Sequence, residues 1–204
     1  SSKVGIKKIA WRYDPIFINE KYSLGKHLET FEKMTAELAE YTNVSIISFI
    51  DLYEKTKKNF PQVKEVTKEE RHIIGKEFAR IGDKYNIKIK TCAEGNELSK
   101  YGIDCSGCLT QLVIEKAIDE NLKVPSKIKV REECDCLLGN DIGAYNSCGH
   151  GCKYCYANYS KIRVKENMKR HNVNSPFLIG GSLDGDEIHE ADQKSYIDRQ
   201  LRLF

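Results

Sequence analysis

Val44-Ser45-Ile46-Ile47-Ser48-Phe49-Ile50-Asp51 reads as a strand buried on both faces, because its β-branched and aromatic residues run on without the alternation of a half-exposed strand. Strands of that kind belong to parallel sheets, where crossover helices cover the faces. The flanking sequence repeats the theme. Upstream, Lys8-Ile9-Ala10-Trp11-Arg12-Tyr13-Asp14 predicts a strand stopped by Pro15, and downstream Ile87-Lys88-Ile89-Lys90-Thr91-Cys92 predicts a third that leads into Glu94. Two helices separate them. Ser23 caps the first, whose apolar positions Leu28, Phe31, Met34, Leu38 and Tyr41 recur at helical spacing. Thr67-Lys68-Glu69-Glu70 is a capping box that opens the second, with Ile74, Phe78, Ile81 and Tyr85 as its buried stripe. A third helix is expected from Cys108 to Leu122.

Strand and helix alternating in this way is the rhythm of βαβ crossovers. A complete (β/α)8 barrel takes about 250 residues, and this chain has 204. The expected fold is therefore α/β, with partial TIM-barrel-like parallel βα units over residues 1–123 followed by a loop-rich, Cys-rich metal-binding tail over residues 124–204. An open doubly wound sheet is the other candidate, without a Gly-rich first turn to support nucleotide binding. Val124-Pro125-Ser126 reads as the linker, Arg131 to Asn158 as metal-binding loops, and Ala157 to Arg170 as a helix before a polar tail.

Composition is that of a globular protein, 40% hydrophobic and 31% charged, with a net charge of only +3 and acidic and basic residues interleaved. That balance carries no nucleic-acid signature; Lys161 to Arg170, with five Lys or Arg against one Glu, reads as a solvated helix face. No apolar run approaches membrane-span length and Ser1 to Ala10 lacks a signal-peptide core, so a cytoplasmic location away from membranes is expected. The eight cysteines then point to metal or redox chemistry rather than disulfides.

Five of those cysteines fall between residues 134 and 155. In Tyr145-Asn146-Ser147-Cys148-Gly149-His150-Gly151-Cys152-Lys153-Tyr154-Cys155-Tyr156-Ala157-Asn158, Cys148, Cys152 and Cys155 have C-x3-C-x2-C spacing, and Gly149 and Gly151 let the loop curl. Three thiolates on a 4Fe-4S cluster leave one iron open, an arrangement suited to catalysis rather than electron storage. Cys134 and Cys136 form a C-x-C pair that needs partners; spacing alone offers Cys105 and Cys108, for a four-cysteine zinc or iron-sulfur site. His150 is placed to donate to a cluster sulfide. His27, His72, His171 and His189 are expected on the surface.

The C-x3-C-x-aromatic-C pattern resembles the signature of radical S-adenosylmethionine enzymes, and His150-Gly151-Cys152 with Tyr154-Cys155-Tyr156-Ala157 is similar to the spore photoproduct lyase and DNA-repair-photolyase-like branch. Trp11 to Phe17, Ser48 to Tyr53, Thr91 to Glu94, Arg131 to Cys136 and Asp141 to Asn146 resemble an uncharacterised bacterial family known as a domain of unknown function. That family normally begins with a further segment containing Ser-Arg-Arg-Thr-Asp, so the chain looks like its C-terminal two-thirds, with the preceding segment as the partner that completes the fold. The resemblance prefers Cys92 and Cys108 over Cys105 as companions of Cys134 and Cys136 in the second site. It also implies S-adenosylmethionine as co-substrate, an electron donor as partner, and a nucleic acid or small metabolite as substrate. Two features depart from the radical enzymes: the cysteine motif follows the strands instead of preceding them, and Leu178-Ile179-Gly180-Gly181-Ser182 lacks the Glu of the usual Gly-Gly-Glu.

Asp14, Asp51 and Glu94 stand at the expected C-terminal ends of three successive strands, the edge where parallel α/β folds build sites. With Arg12, which can pair with an acid or hold a substrate carboxylate or phosphate, they are the candidate catalytic residues. The two readings are an iron-sulfur enzyme of radical type and a non-catalytic zinc- or iron-sulfur-binding module.

Overall fold

The computed structural model describes residues 1–125, 136–137, 143–190 and 194–200. Three parallel strands, β1 (Trp11–Ile16), β2 (Val44–Phe49) and β3 (Lys88–Thr91), form an open sheet in the order β1-β2-β3. The doubly buried sequence run is the central strand. Ile46 and Ile47, whose side chains leave opposite faces, are 5% and 0% exposed. The helices are α1 (Leu24–Leu38), α2 (Glu54–Asn59), α3 (Lys68–Tyr85), α4 (Gln111–Ile118) and α5 (Lys161–Arg170). Two compact units result: Ser1–Ile50 with Val63–Leu138 and Tyr196–Phe204, and Asp51–Gln62 with Gly139–Ser195.

In the first unit α1 and α3 pack on each other and on the sheet. Phe31 of α1 and Phe78 of α3 are fully buried and stack at 3.6 Å between centroids, with Trp11 on the far face of Phe31 and Tyr13 edge-on to both. Truncating either phenylalanine to Ala would cost about 3–5 kcal/mol. Both helix starts follow from sequence: Ser23 Oγ accepts from Lys26 N–H, and Thr67 and Glu70 complete a reciprocal capping box. The passage from α3 to β3 is tight. A side chain at Gly82 would place its Cβ 2.5 Å from the Ile87 carbonyl oxygen.

Several expectations change. The sheet is open and three-stranded, so the barrel expectation reduces to a mixed α/β unit; beyond β3 the described residues add a single parallel bridge, Lys90 to Asp104. β1 starts at Trp11 because Ile6–Lys8 form a 3-10 turn, and it runs through Pro15 to Ile16 with a register shift after Tyr13. Proline is tolerated there because β1 is an edge strand. Asp14 consequently lies within the strand. α4 is shorter than expected, capped by Thr110 Oγ1 and ended by Asp119 in the left-handed region at φ 60°. His27 is buried, not superficial: its Nε2–H donates to the Phe17 carbonyl and its Nδ1 accepts from the Tyr13 hydroxyl, each at 2.8 Å. Burial pushes Tyr13 up to about 12.

Candidate functional site

Cys92 follows β3 directly, and the loop after Asp104 brings Cys108 back to it. The Cys108 thiol donates to Cys92 Sγ at 3.4 Å, and Cys136 Sγ lies 3.5 Å from Cys108 Sγ. Leu109 N–H donates to Cys136 Sγ at 3.2 Å, while Leu137 N–H donates to the Leu109 carbonyl, so a short backbone pairing holds Cys136 in place. Gly107 turns the loop beside Cys136 at φ 114°, a backbone conformation that side chains other than glycine rarely adopt. Cys105 takes another role. It packs against the core and donates to the Ile103 carbonyl.

Arg12, on β1, reaches both Cys92 and Cys108. Its Nε and Nη2 also donate to Asp14 Oδ2 at 3.0 and 2.6 Å, and Ser48 Oγ donates to the same oxygen at 3.2 Å. The Cys108 hydrogen bond lowers the Cys92 pKa to about 5, burial opposes this, and Arg12 adds to the lowering. The same contact raises Cys108. Cys92 is therefore the thiolate and Cys108 the thiol that donates to it. As they stand, no three or more His, Cys, Asp or Glu side chains among the described residues are placed to hold a metal ion. Cys134 lies outside the described residues.

Glu94 is drawn into the scaffold. Its Oε1 accepts from the Phe49 N–H at the end of β2 (2.7 Å), its Oε2 accepts from Arg71 of α3 (3.0 Å), and the Arg71 guanidinium lies over the Phe49 ring. Asp51 belongs to the second unit and accepts from the Tyr53 hydroxyl at 3.2 Å.

In the second unit the C-x3-C-x2-C stretch is a closed loop. Asn146 N–H donates to the Ala157 carbonyl, bringing together the two ends of a turn-rich segment that carries Cys148, Cys152 and Cys155. All three are free thiols; Cys148 and Cys152 are exposed and Cys155 is half-buried. Asn146 is the anchor. It is 2% exposed, in the left-handed region at φ 58°, and its Oδ1 accepts from both the Tyr159 and Ser160 N–H groups at 2.9 Å. Its carbonyl accepts from Asn167 of α5, and Asn158 donates to the Cys148 carbonyl. Ser160 then caps α5 by accepting from Arg163 N–H. Gly149 sits where a Cβ would stand 2.8 Å from Met168 Sδ, and Gly151 has φ 66°. From the Asp51–Gln62 segment, Thr56 Oγ1 donates to the Tyr154 carbonyl, Lys153 lies over the Phe60 ring, and Tyr53 meets Tyr156. His150 is exposed.

The family model described as a domain of unknown function, DUF1848, matches residues 1–157. The chain belongs to this family. No curated protein and no solved structure matches it. The DUF1848 match spans both thiol arrangements and stops at Ala157, the residue that closes the cysteine loop; α5 follows it. No helix among the described residues is long and apolar enough to cross a membrane.

Sequence reasoning missed Asn146, Arg71 and α2. Asn146 carried one usable signal, an Asn among turn residues, since Asn adopts the left-handed region more readily than other side chains.

Proposed function

We propose that this DUF1848 chain is an iron-sulfur enzyme of the radical S-adenosylmethionine type, with Cys148, Cys152 and Cys155 holding a 4Fe-4S cluster. The observation that carries the reading is the loop closed between Asn146 and Ala157, which offers three free thiols on one tight, anchored segment and no fourth cysteine. That donor set fits three irons of a cube with the fourth left open. The chemistry the group supplies when bound is one-electron reductive cleavage of S-adenosylmethionine at its sulfonium, the electron coming from a donor partner. The chain's own residues have positional tasks. Asn146 fixes the loop ends, Gly149 leaves room for Met168 to pack on the loop, and Gly151 takes the left-handed backbone of its turn.

The competing reading, a non-catalytic zinc- or iron-sulfur-binding module, draws on the acids. Glu94 is committed to Phe49 and Arg71 and Asp14 to Arg12 and Ser48, as structural carboxylates are. Anaerobic purification and reconstitution, followed by electron paramagnetic resonance with and without S-adenosylmethionine and by chromatography of its cleavage products, separates the two. A signal that changes on adding S-adenosylmethionine, with cleavage abolished by Cys152→Ser, supports the enzyme. Zinc without iron, or a cluster indifferent to S-adenosylmethionine, overturns it.

A further inference from the structure

We propose that Cys92, Cys108 and Cys136 form a second centre that binds one thiophilic divalent ion of the zinc class, with Arg12 as its positively charged neighbour. This is independent of the loop reading, because it uses other residues in the other compact unit. Three separate stretches of chain deliver these sulfurs: the end of β3, the loop before α4, and the residue paired beside Leu109. Packing alone gains nothing by gathering three cysteine sulfurs beside Arg12, where Leu or Val would fill the space as well. The sulfur separations are informative. Two ligands of a tetrahedral zinc ion with Zn–S of about 2.3 Å stand about 3.8 Å apart. Here Cys108 lies 3.4 Å from Cys92 and 3.5 Å from Cys136, so a slight opening of both contacts would admit one ion between them. Sulfurs on separate irons of a cube would have to stand much further apart.

The surroundings match. All-sulfur donor sets favour zinc, copper(I) and iron over magnesium or calcium. Three thiolates on a divalent ion leave a net negative charge, and Arg12 is already in reach of two of the sulfurs while Asp14, itself held by the Ser48 hydroxyl, fixes its guanidinium. The Leu109 N–H directed at Cys136 is a further donor to a metal-bound thiolate. Cys105 is excluded, since its sulfur turns to the Ile103 carbonyl.

The test is titration of the full chain, reduced and stripped of metal, with Co2+ and then Zn2+, in wild type and in the triple variant Cys148→Ser, Cys152→Ser, Cys155→Ser. The expected result is one equivalent of Co2+ in the triple variant, with sulfur-to-cobalt charge-transfer absorption that Zn2+ abolishes. Cys108→Ser on that background should remove the band and Cys105→Ser should keep it. Arg12→Gln should weaken binding roughly tenfold or more. Absence of a charge-transfer band in the triple variant, an unchanged titration in Cys108→Ser, or loss of the band in Cys105→Ser alone would overturn the proposal. If Cys108→Ser does not fold, the triple variant's own spectrum still decides.

Discussion

Replacing Asn146 tests how the cysteine loop is held. The side-chain oxygen accepts two backbone N–H groups at 2.9 Å from a site 2% exposed, and the backbone stands at φ 58°. Removing a buried acceptor costs about 1 kcal/mol or more for each donor left unpaired, so about 2–3 kcal/mol for the pair. An alanine must also hold a left-handed backbone, which adds about 1 kcal/mol. Asn146→Ala should therefore open the loop by about 3–4 kcal/mol. Asn146→Gly keeps the backbone and loses the acceptor, for about 2–3 kcal/mol, while Asn146→Asp retains both acceptor contacts and should cost least. Native-state hydrogen exchange at Tyr159 and Ser160 is the assay. Each 1.4 kcal/mol is a factor of ten, so Asn146→Ala should raise their opening on the order of a hundredfold or more, with the sheet amides of β2 unaffected. Equal exchange in Asn146→Ala and wild type would refute the anchoring argument, and equal exchange in the Ala and Gly variants would refute its backbone part.

Gly82→Ala should destabilise the first unit by about 1–3 kcal/mol despite alanine's better helix propensity, because the new methyl meets the Ile87 carbonyl oxygen at 2.5 Å; a neutral or raised denaturation midpoint contradicts this. Lys90 is buried, 2.6 Å from Asp104, so Asp104→Asn should cost about 3 kcal/mol and Lys90→Met clearly less; reversal of that order in denaturant melts would show the pair is not what matters. Burial works against the Asp104 charge, but Lys90, Ser106 and Lys88 together hold its pKa below the ordinary carboxylate range. Its stabilisation is thus complete above the unfolded pKa and lost as pH falls below it, so the wild-type advantage over Asp104→Asn should shrink in strong acid and stay flat between pH 6 and 8. A difference that grew on acidification would contradict the sign.

The central strand and both capped helices were legible because short-range rules govern them: continuous apolar residues for Val44 to Phe49, a reciprocal cap at Thr67 and Glu70, and helical spacing through Phe31 and Phe78. Errors arose where one interaction overrode a local preference. Pro15 remained in a strand because that strand is an edge, and His27 was drawn inward by two hydrogen bonds to residues distant in sequence. The βα rhythm predicts three parallel strands, and among the described residues three pair; it carries no information on whether a sheet closes, and this one is open. At the candidate site, cysteine spacing alone favoured Cys105 beside Cys108. The resemblance named Cys92 instead, and the fold brings Cys92, not Cys105, to Cys108. Glu94's attachment to Arg71 and Phe49 links three elements and left no local trace.

The most direct test of the central claim is quantitative iron, acid-labile sulfide and zinc analysis of anaerobically purified protein, compared with its Cys148→Ser, Cys152→Ser, Cys155→Ser variant. The account predicts about four irons and four sulfides per chain, on the cube stoichiometry of a single such cluster, lost in the variant while one zinc-class ion stays. Wild-type protein without iron or sulfide, or iron retained in full by the triple variant, would contradict it.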